Sequence, residues 1–571
     1  MAFQISPGVS VSEVDLTTVV PAVSTTAGAF AGPFQWGPAN KITLVTTESD
    51  LVNRFGKPDT NTATSFFSAA NFLAYGNNLQ VVRAINASSN NGVGSGTAVQ
   101  IRNEDVYDTS YISDSSTLSF VARYPGALGN SLKISLWDSN TANANGAVFS
   151  GWSYKSYFPA APNTSNYVSS IGGANDQFHL VVIDEDGAFS GGVKGTVLEV
   201  FPYLSKASDA ITDDGSTAYY RTVIRNQSQY IYMLGAPDYA NTGNTWGGNS
   251  TISFGGVTMN GASGFSQSFY DGSTAALSAG NYNTAYGEFT NPDIVDISLV
   301  VTGDAGGNIS VQQYVIDSVV AARKDCIAFL SPPQGNVVGN TAPSTGVTDW
   351  VSSLARASTY AVADSGWKYQ YDKFNNVYRW IPLNADIAGL CVRTDQINDP
   401  WFSPAGTNRG AIKNVVKLAW NPNQAQRDAI YSVGANPVVS MPGQGTVLYG
   451  DKTLTTQPSA FSRINVRRLF VVLEKAISTA AKYSLFELND EFTRAQFVAI
   501  VEPFLRDVKG RRGIYDYRVV CDTTNNTPAV IDANRFVGDI YIKPARSINY
   551  IQLNFVAVRT GVSFSEIVGA V

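Results

Sequence analysis

Histidine and cysteine are nearly missing from this chain of 571 residues, which has one His and three Cys. That scarcity excludes a closed metal centre of imidazole and thiolate ligands, which needs three or four donors at set spacings. It also leaves one position at which a histidine could activate a nucleophile. His179 stands between Phe178 and Leu180 in a strand-like run and reads as a sheet residue. Cys326, Cys391 and Cys521 are odd in number, far apart and each set in an apolar run. They read as reduced core thiols and not as a disulfide framework. Charge is sparse, at 15% of residues, and long apolar runs are missing. Residues 16–40 carry no charge, yet their Thr, Pro, Gln and Asn content is wrong for a membrane span, and Glu13 and Asp15 stand where a signal peptide is basic. The expectation is a soluble chain with no signal peptide and no membrane insertion.

What is present points to sheet and to surface. Fifty glycines, 12% aromatics and 44% hydrophobic residues suit a turn-rich protein that buries several cores. The length calls for two to four domains. The net charge of −6 is unevenly spread: residues 95–300 hold 8 basic and 18 acidic side chains, residues 456–571 hold 15 and 11. An acidic middle and a basic end imply two surfaces with different tasks.

Catalytic motifs fail on inspection. Residues 187–194 (GAFSGGVK) place Val193 between Gly192 and Lys194 and lack the Ser or Thr of a phosphate loop, so they read as a hairpin. Gly443 and Gly445 lack the third glycine and preceding strand of a dinucleotide fingerprint. Asp184, Glu185 and Asp186 are adjacent where a calcium loop alternates. No cofactor, metal or nucleic-acid site is expected, and no enzymatic activity.

Periodicity divides the chain. Residues 26–34, 41–46 and 79–85 read as strands, 48–55 and 65–75 as helices, the first stopped by Gly56. Residues 86–97 form a Ser/Asn/Gly linker. Strand-like patterns follow at 118–123, 132–137, 178–183 and 197–201, and residues 241–286 read as loops and short strands at a surface. A βαβ unit then resumes: a strand over 294–302, a helix capped by Ser310 with Val311, Val315, Val319 and Ala322 on one face, and a strand over 326–330. Near the end, Asn465 is placed to cap a strong helix, a second helix runs past Pro503 with a kink or restart, and strands follow at 515–521, 539–544 and 548–558. The fold class is therefore multidomain α/β and α+β: an α/β core (21–94 and 290–455) interrupted by a β-rich insertion (95–289), then a carboxyl-terminal α+β domain (456–560). Extended strand arms at 1–20 and 561–571 complete it.

Three segments carry a family resemblance: Ser6 to Asp15 with Gly37-Pro38 and Phe55-Gly56; Trp401 to Gly406 with Asn436-Pro437 and Gly450 to Leu454; and residues 502–561, preceded by 465–474. Together they resemble the tail sheath proteins of T-even-like contractile bacteriophages. That resemblance implies a helical homopolymer of stacked hexameric rings around a tail tube protein, bounded by baseplate and tail terminator proteins. Such a sleeve is assembled in the host cytoplasm, becomes part of the virion, and contracts to drive the tube through the host envelope. A sheath from a non-phage injection system, or an adhesin or hydrolase at the host surface, are the alternatives.

Within that reading the insertion faces outward. The short alternating termini, with Val9, Val11 and Val14 at one end and Val562, Phe564 and Ile567 at the other, are expected to link subunits by adding strands to a neighbour. The receiving sheet would contain Tyr517, Val519, Tyr541, Ile551, Leu553 and Phe555. Arg494, Arg506, Lys509, Arg511 and Arg512 are expected to face the tube.

Overall fold

The computed structural model describes residues 24–112, 119–139, 149–234, 264–455, 457–549 and 552. At its centre is a seven-stranded sheet in the spatial order Ala435–Asn436, Ala361–Asp364, Ile327–Leu330, Leu299–Val301, Gly28–Gly32, Leu79–Arg83, Thr43–Val45. All neighbours are parallel except the last pair. The strands are short and apolar without alternation because both faces are covered, as parallel sheets require. One face presents Phe30, Leu299, Ile327 and Phe329 to the helices Ala63–Leu73 and Asn384–Ile397. The other face is lined by Ala29, Ala31, Val82 and Ala328, and these small residues make room for Tyr282 and Tyr286.

Local signals act as expected at several points. The Glu48–Phe55 helix is capped by Thr47, whose side chain accepts from the Asp50 amide, and ends at Gly56 with φ 80°. Leu299–Val301 and Ile327–Leu330 pair in parallel around an intervening helix. That helix differs in detail. Asn308, not Ser310, supplies the cap, accepting from the Ser310 amide. Its middle, Val315–Val320, winds as a π-helix, and the wider turn shifts the buried stripe so that Val320 joins Val311, Val315 and Val319 while Ala322 is exposed.

The insertion holds a four-stranded antiparallel sheet (Thr196–Ser205, Gln177–Asp184, Leu132–Asp138, Phe265–Ser268) and a two-stranded one (Ser119–Ala122 with Ile231–Leu234). Residues 187–194 form the loop of a hairpin, as expected; Asp184 Oδ2 accepts from the Phe189 and Ser190 amides at 3.0 and 2.7 Å. The boundary and the surface character expected near residue 289 are corrected. Ala279–Gly287 is a helix whose Tyr282, Ala285 and Tyr286 are buried against the central sheet, so it belongs to the core packing. Its aromatic residues lie one turn apart, which a loop-like Gly, Asn and Thr composition concealed.

The connections into and out of the insertion are joined. Asn90 and Ser273 exchange backbone hydrogen bonds (3.1 and 3.0 Å), as do Val93 and Tyr270 (2.8 and 3.0 Å). Arg83, buried at the end of its strand, donates to the carbonyls of Phe34, Gln35, Gly37 and Pro125. One guanidinium thus binds the core to Pro125 of the insertion.

His179 is fully buried in its strand, stacked on Phe158 at 4.1 Å. The Tyr203 amide donates to its Nδ1 (3.0 Å), so Nε2 carries the proton and donates to the Ala160 carbonyl (2.9 Å). Burial pushes its pKa down to about 4. The unfolded chain therefore takes up this proton first, near its ordinary pKa of about 6.5. Stability from the site should be complete above that pH and decline by roughly 3 kcal/mol as the pH falls towards 4. Urea titrations across that range should show the decline, and His179→Gln should flatten it; an unchanged slope in the variant would contradict the assignment.

Candidate functional site

A ligand site in an open parallel sheet belongs at the carboxyl ends of the strands where strand order reverses. Here that point lies between Gly28–Gly32 and Leu299–Val301, and protein fills it. Asn384 donates to the Gly303 carbonyl (2.6 Å), accepts from the Gly303 amide (3.1 Å) and also donates to Ser331 Oγ (2.9 Å). Asp304 turns back to accept from the Gly306 amide. Deeper in, burial pushes Asp364 up to about 8, where Ser331 and the Gly366 amide hydrogen-bond it. Lys368 and Asp386 form a fully buried pair at 2.9 Å. Most of these polar atoms are hydrogen-bonded to one another, while Asp386 Oδ2 is buried with no partner among the described residues. Among the described residues no group of three or more His, Cys, Asp or Glu is placed to hold a metal.

The surface features concentrate in the carboxyl-terminal unit and its junction with the core. The helix Ile464–Ala481 packs on the helix Glu491–Gly510, close enough for Ala476 and Ala480 to meet Ile500 and Phe504. Both cover one face of an antiparallel pair, Ile514–Val520 with Asp539–Pro544. Two expectations change. Asn465 lies inside the first helix, where its Nδ2 reaches the Trp401 and Ala545 carbonyls, and Arg463 holds the cap position. The second helix continues through Pro503 without a restart, with the proline on its exposed side.

Two arginines dock the first helix on the core. Arg468 forms a buried pair with Asp395 at 2.6 Å, and Arg467 lies between the rings of Tyr360 and Phe461 at 4.1 and 3.9 Å. Sequence reading assigned them no role, although basic residues in a helix's first turn oppose the dipole and so signal a tertiary partner. Asp451 ties the junction. Its carboxylate accepts from Arg463 Nη1 (2.8 Å), Ser403 Oγ (3.1 Å) and Ser547 Oγ (2.6 Å), while its carbonyl accepts from the Ile464 amide (2.8 Å). Gly450 beside it has no room for a side chain: a Cβ would lie 2.9 Å from Asn436 Oδ1 and 3.0 Å from Pro437.

The expected site residues divide into three groups. Val9, Val11, Val14, Val562, Phe564, Ile567, Ile551, Leu553 and Phe555 lie outside the described residues. Tyr517 and Val519 share the face that packs on the helices, whereas Tyr541 points the other way and is 61% exposed. Among the basic residues, Arg494 is buried and donates to Asn489 O and Oδ1 (3.2 and 2.9 Å), so it offers no charge to a partner surface. Arg511 stacks on Trp401 and pairs with Asp399, and Lys509 pairs with Asp516 at 3.0 Å. Arg506 and Arg512 are exposed.

Comparison with known proteins agrees with this architecture. The chain matches models of the phage tail sheath C-terminal domain over residues 456–557, the phage tail sheath protein central domain over 295–454, and the N-terminal region of tail sheath protein Gp18 domain III over 25–84. It is 36% identical to the tail sheath protein of Vibrio phage KVP40, covering 99% of this chain and 100% of that one. It is 36% identical to that of Enterobacteria phage T4 (99% of each) and 32% identical to that of Salmonella phage ViI (99% and 98%). Among solved structures it shares its fold with the sheath tail protein Lin1278 from Listeria innocua (TM-score 0.52, 9% identity, 91% and 96% covered). The helical sheath of the anti-feeding prophage in its contracted state is similar to the same degree (TM-score 0.51, 13% identity, 97% and 99% covered). A multidomain sheath fold is thus the class, and the chain belongs to the phage tail sheath protein family.

Asp451→Ala should release the junction. The expected loss is about 2–4 kcal/mol, from charged hydrogen bonds left without their acceptor. Tryptic cleavage after Arg463 should accelerate; an unchanged melting temperature and cleavage rate would show that the junction does not depend on this carboxylate.

Proposed function

We infer that the chain is the structural subunit of a contractile phage tail sheath, polymerising helically around the tail tube and contracting to drive that tube through the host envelope. The observation that carries this is similarity to phage tail sheath proteins along essentially the whole chain. In this reading its partners are further copies of itself in stacked hexameric rings, the tail tube protein, and baseplate and tail terminator proteins. It acts in the virion after assembly in the host cytoplasm, with no catalysis and no cofactor. The insertion faces outward, consistent with the acidic excess of residues 95–300, and the carboxyl-terminal unit faces inward. Negative-stain microscopy of the purified chain tests the whole reading: tubular polymers support it, and a persistent monomer opposes it.

The unfinished sheet supports a mode of linkage. Two strands of seven and six residues have one face on helices and, among the described residues, no third strand at either edge. Such edges accept added strands. In this proposal residues 9–14 and 562–568 leave their own subunit and pair with that sheet in neighbours. Each link is worth four to six backbone hydrogen bonds at ~1 kcal/mol net, and many links in parallel hold the polymer through effective concentration. Removing residues 1–15, or all after residue 560, should give a folded monomer that no longer polymerises; polymers from either truncation would refute the linkage.

The tube-facing role falls to the exposed basic residues at the end of the Glu491–Gly510 helix, Arg506, Lys509, Arg511 and Arg512, without Arg494. Exposed charges of this kind contribute about 0–1 kcal/mol each, which lets a contracting sheath release its tube. Arg506→Glu with Arg512→Glu should impair assembly on isolated tubes at low salt, with the defect shrinking as salt screens the repulsion. Normal assembly of that variant at low salt would remove the helix end from the tube contact.

A further inference from the structure

The loop between the two carboxyl-terminal helices is an apolar knuckle that no other described residue covers. Within residues 483–492, Tyr483, Leu485, Phe486, Leu488 and Phe492 are 61% to 104% exposed. A soluble surface seldom leaves so many large apolar side chains together in water unless a partner covers them. The knuckle is also built. Phe486 takes φ 69°, a left-handed conformation that a bulky residue avoids, and it is the most exposed of the five. Asn489 holds the base, donating to the Arg535 carbonyl (2.8 Å) and accepting from the buried Arg494 (2.9 Å). Asp490 caps the following helix.

At the other end of that helix lies a cleft of about 1020 Å³ between the junction loops and the start of the terminal sheet. Trp401, Tyr449, Tyr515 and Ile548 supply its apolar lining, and Arg409, Arg427, Lys509, Arg512 and Arg546 its cations. Asp428 and Asp451 are its acids, and Asp451 is already engaged by Arg463. The knuckle carries Glu487, Asp490 and Glu491 and no base. One feature is apolar and acidic, the other aromatic and basic.

We propose that the knuckle of one copy seats in the cleft of the next, with Phe486 against the aromatic lining and Glu487 and Glu491 against the basic rim. The helix that separates the two features has 20 residues, about 30 Å at the usual rise, so a knuckle cannot reach the cleft of its own chain. Knob and hole at opposite ends of one helix, each engaging a different neighbour, make a head-to-tail contact, the kind that generates open helices and rings. An aromatic anchor in a desolvated pocket ringed by charge is the arrangement that concentrates binding energy. The proposal rests on the sheath reading and adds a second contact to it, independent of strand exchange. Lys509 and Arg512 stand where this contact and the tube-facing surface meet, whereas Arg409 and Arg427 belong to the cleft alone.

Full-length chain carrying Phe486→Cys and Tyr449→Cys, polymerised and treated with a short bis-maleimide, tests it. The native cysteines are buried. The expected result is a ladder of dimers, trimers and larger species on a denaturing gel, missing from each single variant. Polymers visible by microscopy with no ladder overturn the contact, whether the chain's own residues beyond 549 or another partner fill the cleft. A cross-linked dimer from Phe486→Cys alone overturns it too, since knuckle would then meet knuckle. If the unmodified chain forms no polymer, the sheath reading fails and this contact with it. A second variant, Glu487→Lys with Glu491→Lys, should raise the concentration needed for polymerisation about tenfold, or about 1.4 kcal/mol; an unchanged concentration is the contrary result.

Discussion

A two-stranded antiparallel sheet is marginal in water unless something packs on it or extends it. The carboxyl-terminal unit is arranged around that constraint. Two long helices cover one face of Ile514–Val520 and Asp539–Pro544, one through Leu469, Leu473 and Ile477, the other through Phe497, Val501, Leu505 and Val508. The opposite face carries Tyr515 and Tyr541, both largely exposed. Stability is thus supplied from one side, and among the described residues neither edge of the pair carries a third strand.

The core is built the other way. Its buried charges and amides are paired within the chain: Lys368 faces Asp386, Asn384 answers Gly303, and Arg468 answers Asp395. Buried pairs of this kind add little net stability but are expensive to break singly, so they resist partial rearrangement. Asp451 extends the same rigidity across the junction, binding the loop at Ser403, the start of a helix at Arg463 and the end of the terminal sheet at Ser547.

Much of the fold was legible in the sequence where one signal dominated. The Glu48–Phe55 helix has a cap, an apolar stripe and a glycine stop, and it formed with those bounds. The parallel pair around residues 299–330 followed from periodicity alone. Errors arose where tertiary context outweighed local rules. Ala279–Gly287 looks like a loop by composition, but Tyr282 and Tyr286 fit above a floor of alanines on distant strands. The π-turn at Val315–Val320 cannot be read from a 3.6-residue period. Arg494 reads in sequence like its basic neighbours, yet its position on the helix turns it inward to Asn489. The strands Ile514–Val520 and Asp539–Pro544 are legible from β-formers and turn residues, whereas nothing in the sequence marks the large apolar side chains of residues 483–492 as exposed.

The joined entry and exit of the insertion have a consequence for how such chains diversify. Residues 90–93 leave the core hydrogen-bonded to residues 270–273 that return to it, and Arg83 secures the base. The insertion also rests on the core beyond this seam: Trp36 is buried among Tyr124, Phe189 and Tyr230, and the Ala39 amide donates to the Arg102 carbonyl (2.8 Å). A compact module whose ends lie a strand's width apart could enter at the same seam if it also covered Trp36. The three family segments that match this chain leave residues 85–294 between them, so the same seam that separates recognisable family sequence from the rest is a natural place to graft a foreign domain for display along a tail.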